Sequence, residues 1–254
     1  MKLAVFADVH GNLTALETVL QHIDRENVDK TWVLGDLAAH GGSPAECVTL
    51  IRERHQADEK NFQVIGGNTD RYLVTNARSA RPPAADADAY QQLATEFEQE
   101  NDMLSWATAR LGWENYEFLS QIIGKEVRHK ADGYGYIFGY HAVPGDDEHS
   151  IEPDTPDEEA LDSVLDRPLR MGVYAHIHHQ VDRDLGRVHL VNPGSVGLSF
   201  QHPGQVQYAI LTLSDGTVSV DLRETDYDTD AAARALHANG HPHPAAVETF
   251  YTGA

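Results

Sequence analysis

An α/β fold built on a parallel sheet is predicted for this chain by three observations: short, nearly all-apolar runs, amphipathic segments between them, and about 30 residues from one run to the next. Leu3 to Ala7 is the first run, and its lack of alternation is that of a strand covered on both faces. After a turn at Asp8 to Asn12, apolar residues at Leu13, Leu16, Val19, Leu20 and Ile23 recur at helical spacing. A second buried run, Trp32 to Leu34, stops at Gly35-Asp36. Ser43, Pro44 and Glu46 then supply an N-cap, a first-turn proline and a capping-box acid for a helix near residues 44 to 56. Phe62 to Ile65 is the third strand and ends at Gly66-Gly67-Asn68.

Residues 71 to 130 break the rhythm. Pro82-Pro83 is followed by an acidic, Gln-rich segment carrying Leu93, Phe97, Leu104, Trp106, Leu111, Trp113 and Phe118, which reads as two or three inserted helices without strands. Further strands are expected at Tyr134 to Tyr140, Arg170 to Tyr174, Arg187 to Val191, Val206 to Leu213 and Thr217 to Leu222, with Ser214-Asp215-Gly216 as a hairpin turn. A short helix is expected near Asp157 to Leu165. The tail from Asp230 starts as a helix that Gly240 and the following His-Pro-His-Pro end, and the residues beyond are expected to be mobile. With no repeat and no linker, residues 1 to 254 read as one domain.

Composition bounds the function. The chain carries 40 Asp and Glu against 19 Lys and Arg, a formal net charge of -21. Such a field repels polyanions, so binding along a nucleic acid is not expected. No apolar run approaches the roughly 20 residues of a membrane span, and the N-terminal run is too short for a signal peptide, so a cytoplasmic protein without a membrane partner is expected. Cys47 is the single cysteine. Any metal is therefore bound through His, Asp, Glu or Asn.

Five clusters of such ligands fall at or just past the C-terminal ends of expected strands, where open α/β sheets place their sites. They are Asp8-Val9-His10, Gly35-Asp36, Asn68-Thr69-Asp70, His141, and His176-Ile177-His178. Carboxylate, imidazole and amide oxygen suit Mn, Fe, Zn or Ni, and neighbouring parallel strands bring the loops together. A barrel amidohydrolase would carry His-x-His on its first strand and a metalloprotease HExxH on a helix; neither arrangement is present.

This series resembles the calcineurin-like metallophosphoesterases over residues 2 to about 223. Within them, Asp8 to Asn12, Gly35 to Leu37, Gly42 to Cys47 and Val191 to Gly197 look most like the small YfcE-type bacterial phosphoesterases. The resemblance implies a four-layer α/β/β/α sandwich with a helical insertion, holding two divalent ions. It implies Asp8, His10 and His178 on the first ion, Asn68, His141 and His176 on the second, and Asp36 bridging them. A hydroxide held between the ions would attack a small or nucleotide-like phosphate ester in line. The activity expected is that of a phosphodiesterase. A phosphomonoesterase or protein phosphatase uses the same metals, and a weakly active or non-catalytic scaffold keeps the fold; a homo-oligomer is also compatible with the chain.

Two positions depart from the family pattern. Thr69 stands where strong phosphatases of the superfamily carry His beside the leaving oxygen, and threonine is no acid near neutral pH. His40, in the loop after Asp36, is the candidate to replace it. Ala175 stands where Gly precedes the His-x-His pair, a change expected to be harmless. Asp70 is expected to orient a ligand or cap a helix rather than bind metal. Asn192 to Gly197 either presents backbone N–H groups to the site or makes a tight turn. Arg71 is weighed as a phosphate contact against an exposed helix residue, the inserted helices as a lid or dimer face against plain core, and His237, His241 and His243 as stray metal ligands against a solvated tail.

Overall fold

The computed structural model describes residues 1–253. The first third follows the expected rhythm as β1 (Lys2–Phe6), α1 (Leu13–Arg25), β2 (Lys30–Leu34), α2 (Pro44–Ala57), β3 (Phe62–Ile65) and α3 (Asn68–Thr75). A 36-residue helix, α4 (Ala87–Ile122), comes next and is kinked where Gly112 adopts φ 71°. Then come β4 (Val127–Ala131), β5 (Gly135–Gly139), α5 (Asp157–Asp162), β6 (Met171–Val173), β7 (Gln180–Asp184) and β8 (His189–Pro193). The chain closes with β9 (Gln205–Ser214), β10 (Thr217–Asp226), α6 (Thr229–Ala238) and α7 (Pro244–Thr252).

The strands form two five-stranded sheets, ordered β10-β9-β1-β2-β3 and β4-β5-β6-β8-β7. In the first, β1, β2 and β3 are parallel while β9 and β10 run against them. In the second, β5, β6 and β8 are parallel between antiparallel edges β4 and β7. Strand alternation builds the layers. Leu3 and Val5 of β1 pack with Trp32, Ile137, Met171 and Val191 between the sheets. Ala4 and Phe6 face the other way onto Leu16, Val19 and Ile51 of α1 and α2. On the far side of the second sheet, Phe138 and Leu190 pack on Ala160 and Val164 of α5 and the turn after it. The result is the four-layer metallophosphoesterase sandwich that the motifs imply, and parallel strands in both sheets end on one side of it.

Two expectations are corrected. The stretch from 71 to 130 is not free of strands, because β4 lies inside it; only Val127 and Ala131 of that edge strand are buried, so it carries almost no apolar signal. The residues beyond Gly240 are not a mobile tail. Pro244 sits in the first turn of α7, where its missing N–H costs nothing. Val247 and Tyr251, one turn apart, pack with Leu198, Ala232 and Leu236. His241 is buried edge-on against Trp106, His243 Nε2 lies 3.0 Å from Asp102 Oδ2, and His237 Nε2 lies 2.7 Å from Glu248 Oε1. The tail histidines thus fasten the C-terminal helices to α4 and to each other.

Leu236 is fully buried in that small cluster. Leu236→Ala is expected to cost about 2–5 kcal/mol in urea unfolding, and amides of residues 247 to 251 are expected to exchange far more slowly than a frayed terminus. Unprotected amides there, measured by hydrogen exchange, would restore the mobile tail.

Candidate metal centre

Every cluster singled out in the sequence except the tail histidines lies at the shared end of the parallel strands. Asp8 and His10 follow β1, Asp36 follows β2, Asn68 opens α3 after β3, His141 follows β5, and His176 and His178 follow β6. The turns that aim them are tight. Asp8, His10, Asp36, His176 and His178 all have left-handed backbone, with φ between 48° and 72°. Asp and His tolerate that region better than branched or bulky residues, at a cost of roughly 1–3 kcal/mol each, and such outliers collect where function requires them. Ala175 does not share this backbone; the left-handed turn begins one residue later, so it needs no glycine.

The side chains converge. His10 Nε2 and His141 Nε2 each lie 3.6 Å from Asp36 Oδ2, and His178 Nε2 lies 3.8 Å from Asp8 Oδ1. Asn68 Oδ1 is 3.0 Å from His141 Nε2 and 3.1 Å from His176 Nδ1. Two sets of donors fall within metal-binding range, Asp8 with His10 and His178, and Asp8 with Asp36 and His141. The first is the trio expected for one ion. The second brings Asp8 as well as Asp36 toward His141, while Asn68 and His176 approach from its other side.

Hydrogen bonding behind the ligands decides what they can hold. The Nδ1 atoms of His10, His141 and His178 face the carbonyl oxygens of Ala39, Leu34 and Leu198 at 3.2, 2.7 and 2.8 Å. A carbonyl oxygen only accepts, so each Nδ1 carries the proton and each Nε2 presents a lone pair. The Nε2 atoms of His10 and His178 then stand 3.0 Å apart with no proton between them. Burial holds both imidazoles well below the usual histidine pKa, so protonation does not relieve the contact. Asp8 Oδ1 is buried without a hydrogen-bond partner. Burial and the charge of Asp36 push the Asp8 carboxyl well above its ordinary pKa. Burial also opposes ionisation of Asp36, but His141, His176 and the Thr69 amide outweigh it and bring its pKa down. Lone pairs that converge with no proton to share are a donor set fitted to cations.

The supports come from distant segments. Asp70 spends both carboxylate oxygens on backbone, accepting from Leu37 N at 2.9 Å and Gly67 N at 3.1 Å, so it fixes the Asp36 loop against the start of α3 instead of facing the cavity. Its pKa is raised to about 7 by burial and by Asp36. Asn192 to Gly197 is a brace: Ser195 Oγ and Gly197 N donate to Asp8 O at 2.9 and 2.8 Å, and Asn192 Nδ2 donates to Ala175 O at 2.8 Å. Arg71 is held by Asp147 at 2.7 and 2.8 Å and by Glu148, so its guanidinium is already committed to carboxylates. His179 bonds its own Ile177 carbonyl at 2.8 Å.

The donors open into a cavity of 490 Å³. His40 lines it, with its ring 5.1 Å from that of His10, and so does Thr69. Gln99 and Met103 of α4, from the inserted segment, form one wall. Leu198, Phe200 and Phe250 form another that the sequence did not disclose, because Phe250 reaches the site only through the unexpected α7.

This fold and this set of carboxylate, amide and imidazole donors define a metal-dependent phosphoester hydrolase. Residues 1–216 match the model of the calcineurin-like phosphoesterase superfamily domain, and the chain belongs to that family. It is 27% identical over 258 residues to the uncharacterized protein MJ0912 of Methanocaldococcus jannaschii, covering 94% of this chain and 93% of that one. A metallophosphoesterase from Sphaerobacter thermophilus superposes with a TM-score of 0.71 at 22% identity, covering 99% of this chain and 98% of that one. The hypothetical protein PH1004 of Pyrococcus horikoshii gives 0.77 at 23% identity, covering 100% and 98%. These two likenesses extend the fold through the C-terminal helices.

Gly67 permits the closest approach at the centre. A Cβ there would lie 2.2 Å from Asp36 Oδ1 and 2.6 Å from His141 Cε1. Gly67→Ala is expected to leave the circular dichroism spectrum unchanged, to weaken Mn binding in calorimetry by about 10–100-fold, and to abolish the rise in Tm that saturating Mn gives the parent protein.

Proposed function

We propose that this hydrolase is a phosphodiesterase acting in the cytoplasm on a small or nucleotide-like ester, with two divalent ions such as Mn, Fe, Ni or Zn. The observation that carries the reading is the convergence of lone pairs on both sides of Asp36. Asp8, His10 and His178 would hold one ion, Asn68, His141 and His176 the other, with Asp36 between them. When bound, such ions supply Lewis acidity toward phosphoryl oxygens and toward water.

The chain's own groups do the rest. Asp70 and the α3 N-terminus hold Asn68 in place, and the Thr69 N–H donates to Asp36 Oδ1 at 2.9 Å, fixing that carboxylate. Thr69 Oγ1 is buried without a partner and offers no acid. His40 lines the cavity and would give a proton to a poor leaving group; burial lowers its pKa and the charge of Asp36 works against that lowering. Preference for a diester is supported by charge. No Lys or Arg lines the cavity itself among the described residues, although Arg81 lines the adjoining hollow that shares His40, Asn68, Thr69, Gln99 and Met103 with it. The nearby Arg71 and Arg81 are each tied to two carboxylates. A monoester dianion brings one more negative charge than a diester into a site whose neighbouring arginines are already paired with carboxylates.

Purified protein with Mn is expected to hydrolyse bis-p-nitrophenyl phosphate faster than p-nitrophenyl phosphate, and Asp36→Asn and His176→Ala are each expected to lower both rates by about 100-fold or more. A faster monoester would reverse the assignment. Unchanged rates in both variants would remove the metal centre from the chemistry. His40→Ala is expected to slow methyl or ethyl ester cleavage by about 100-fold while changing p-nitrophenyl ester cleavage little, because only the poor leaving group needs a proton. Equal losses on both esters would deny His40 that role.

A further inference from the structure

The cavity has two unlike halves. One carries the metal donors. The other is apolar, made by Leu198 and Phe200 of the segment after β8 together with Met103, Val247 and Phe250 of α4 and α7. Within it the rings are arranged in series: His178 and Phe200 are 4.5 Å apart between centroids and tilted by 37°, and Phe200 and Phe250 are 5.6 Å apart at the same tilt. Phe200 is 49% exposed and Phe250 36%, although the chain buries most of its other large apolar side chains. Two phenylalanines left facing solvent beside a metal-ligating imidazole are open to a ligand, and their separation suits continued offset or edge packing with another ring.

We propose that Phe200 and Phe250 bind a flat aromatic group of the phosphate ester, an aryl ring or a nucleobase, while its phosphate lies at the donors around Asp36. The inference rests on the phosphodiesterase reading and adds the substrate class. His178 ties the two halves together, because one face of its surroundings is the metal-ligand cluster and the other is Phe200. The Gln99 side chain on α4 lines the same cavity and forms no hydrogen bond within the chain's described contacts, so its amide is available to the edge of a base. The absence of Lys and Arg from the lining fits the same ligand: binding energy here comes from aromatic area and from the metals.

Calorimetric binding to the Mn-loaded protein tests this independently of turnover. Diphenyl, dicyclohexyl and diethyl phosphate carry the same charge. Diphenyl phosphate is expected to bind at least about tenfold more tightly than diethyl phosphate and about two- to tenfold more tightly than dicyclohexyl phosphate. Phe200→Leu and Phe250→Leu keep apolar volume at exposed positions and are expected to erase the advantage over dicyclohexyl phosphate while leaving diethyl phosphate binding unchanged. Equal affinity for the three ligands, or an aromatic preference that survives both substitutions, overturns the inference. The methyl ester of uridine 5′-monophosphate separates the two sources. With a nucleobase as the natural group, Gln99→Ala weakens this ligand and not diphenyl phosphate; with an aryl group it weakens neither, and the aromatic wall stands in both cases. Hydrolysis of bis-p-nitrophenyl phosphate is measured beside these titrations. Aromatic binding without hydrolysis discards the phosphodiesterase reading and keeps the wall, whereas hydrolysis without aromatic preference does the reverse.

Discussion

The 3.0 Å approach of two imidazole lone pairs, His10 Nε2 against His178 Nε2, is the contact on which the rest of the structure turns. Left alone it is repulsive, and beside it burial and the charge of Asp36 oppose ionisation of Asp8. A fold that keeps these groups together must hold them from outside. The three carbonyls behind His10, His141 and His178 fix their tautomers, the Asp70 carboxylate pins two loops, and Ser195 and Gly197 brace Asp8 across 187 and 189 residues of chain. Five candidate ligands in left-handed backbone add a cost of several kcal/mol, comparable with the 5–15 kcal/mol by which domains of this kind are stable. The centre is thus a reservoir of strain and electrostatic repulsion that bound cations relieve.

The sandwich provides the rigidity for this. Parallel strands end on the same side in both sheets, so ligands from β1, β2 and β3 meet those from β5 and β6 across the layer that Leu3, Val5, Trp32 and Met171 fill. A register slip of one residue in β1 would exchange Leu3 and Val5 with Ala4 and Phe6 between two different cores, so hydrophobic burial fixes the position of Asp8 as well as the layer order.

This logic explains what could be read in the sequence. Each candidate ligand string begins within three residues of the end of a strand whose last two residues are buried, so a short apolar run marks the start of the turn and Gly, Asp, Asn or His marks the turn itself. The spacing of Asp8, Asp36 and Asn68 is βαβ arithmetic. What escaped depends on tertiary contact. β4 and β7 are edge strands with polar residues on their open sides. Gly240, Pro242 and Pro244 look like an ending, although Pro244 starts α7, whose Val247 and Tyr251 are buried because α6 and Leu198 are there to cover them. Phe200 and Phe250 lie 50 residues apart in chain and carry no shared local pattern; their meeting exists only after the C-terminal helices dock.

The acidity of the chain acquires a function from the same contacts. Carboxylates from the Asp147-Glu148 loop and from α4 occupy Arg71 and Arg81, the arginines nearest the centre, with two partners each. With those cations committed and a net charge of -21, metal held by the proposed Asp36 cluster would be the main attraction for an anion in this region. An anion must therefore be selected by what else it carries. Each negative charge beyond the first meets the unfavourable field of the chain, while each apolar or aromatic surface meets Phe200, Phe250 and Met103. The proposed monoanionic ester with a flat apolar substituent would satisfy both conditions, so that the charge of the surface and the shape of the cavity would select in the same direction.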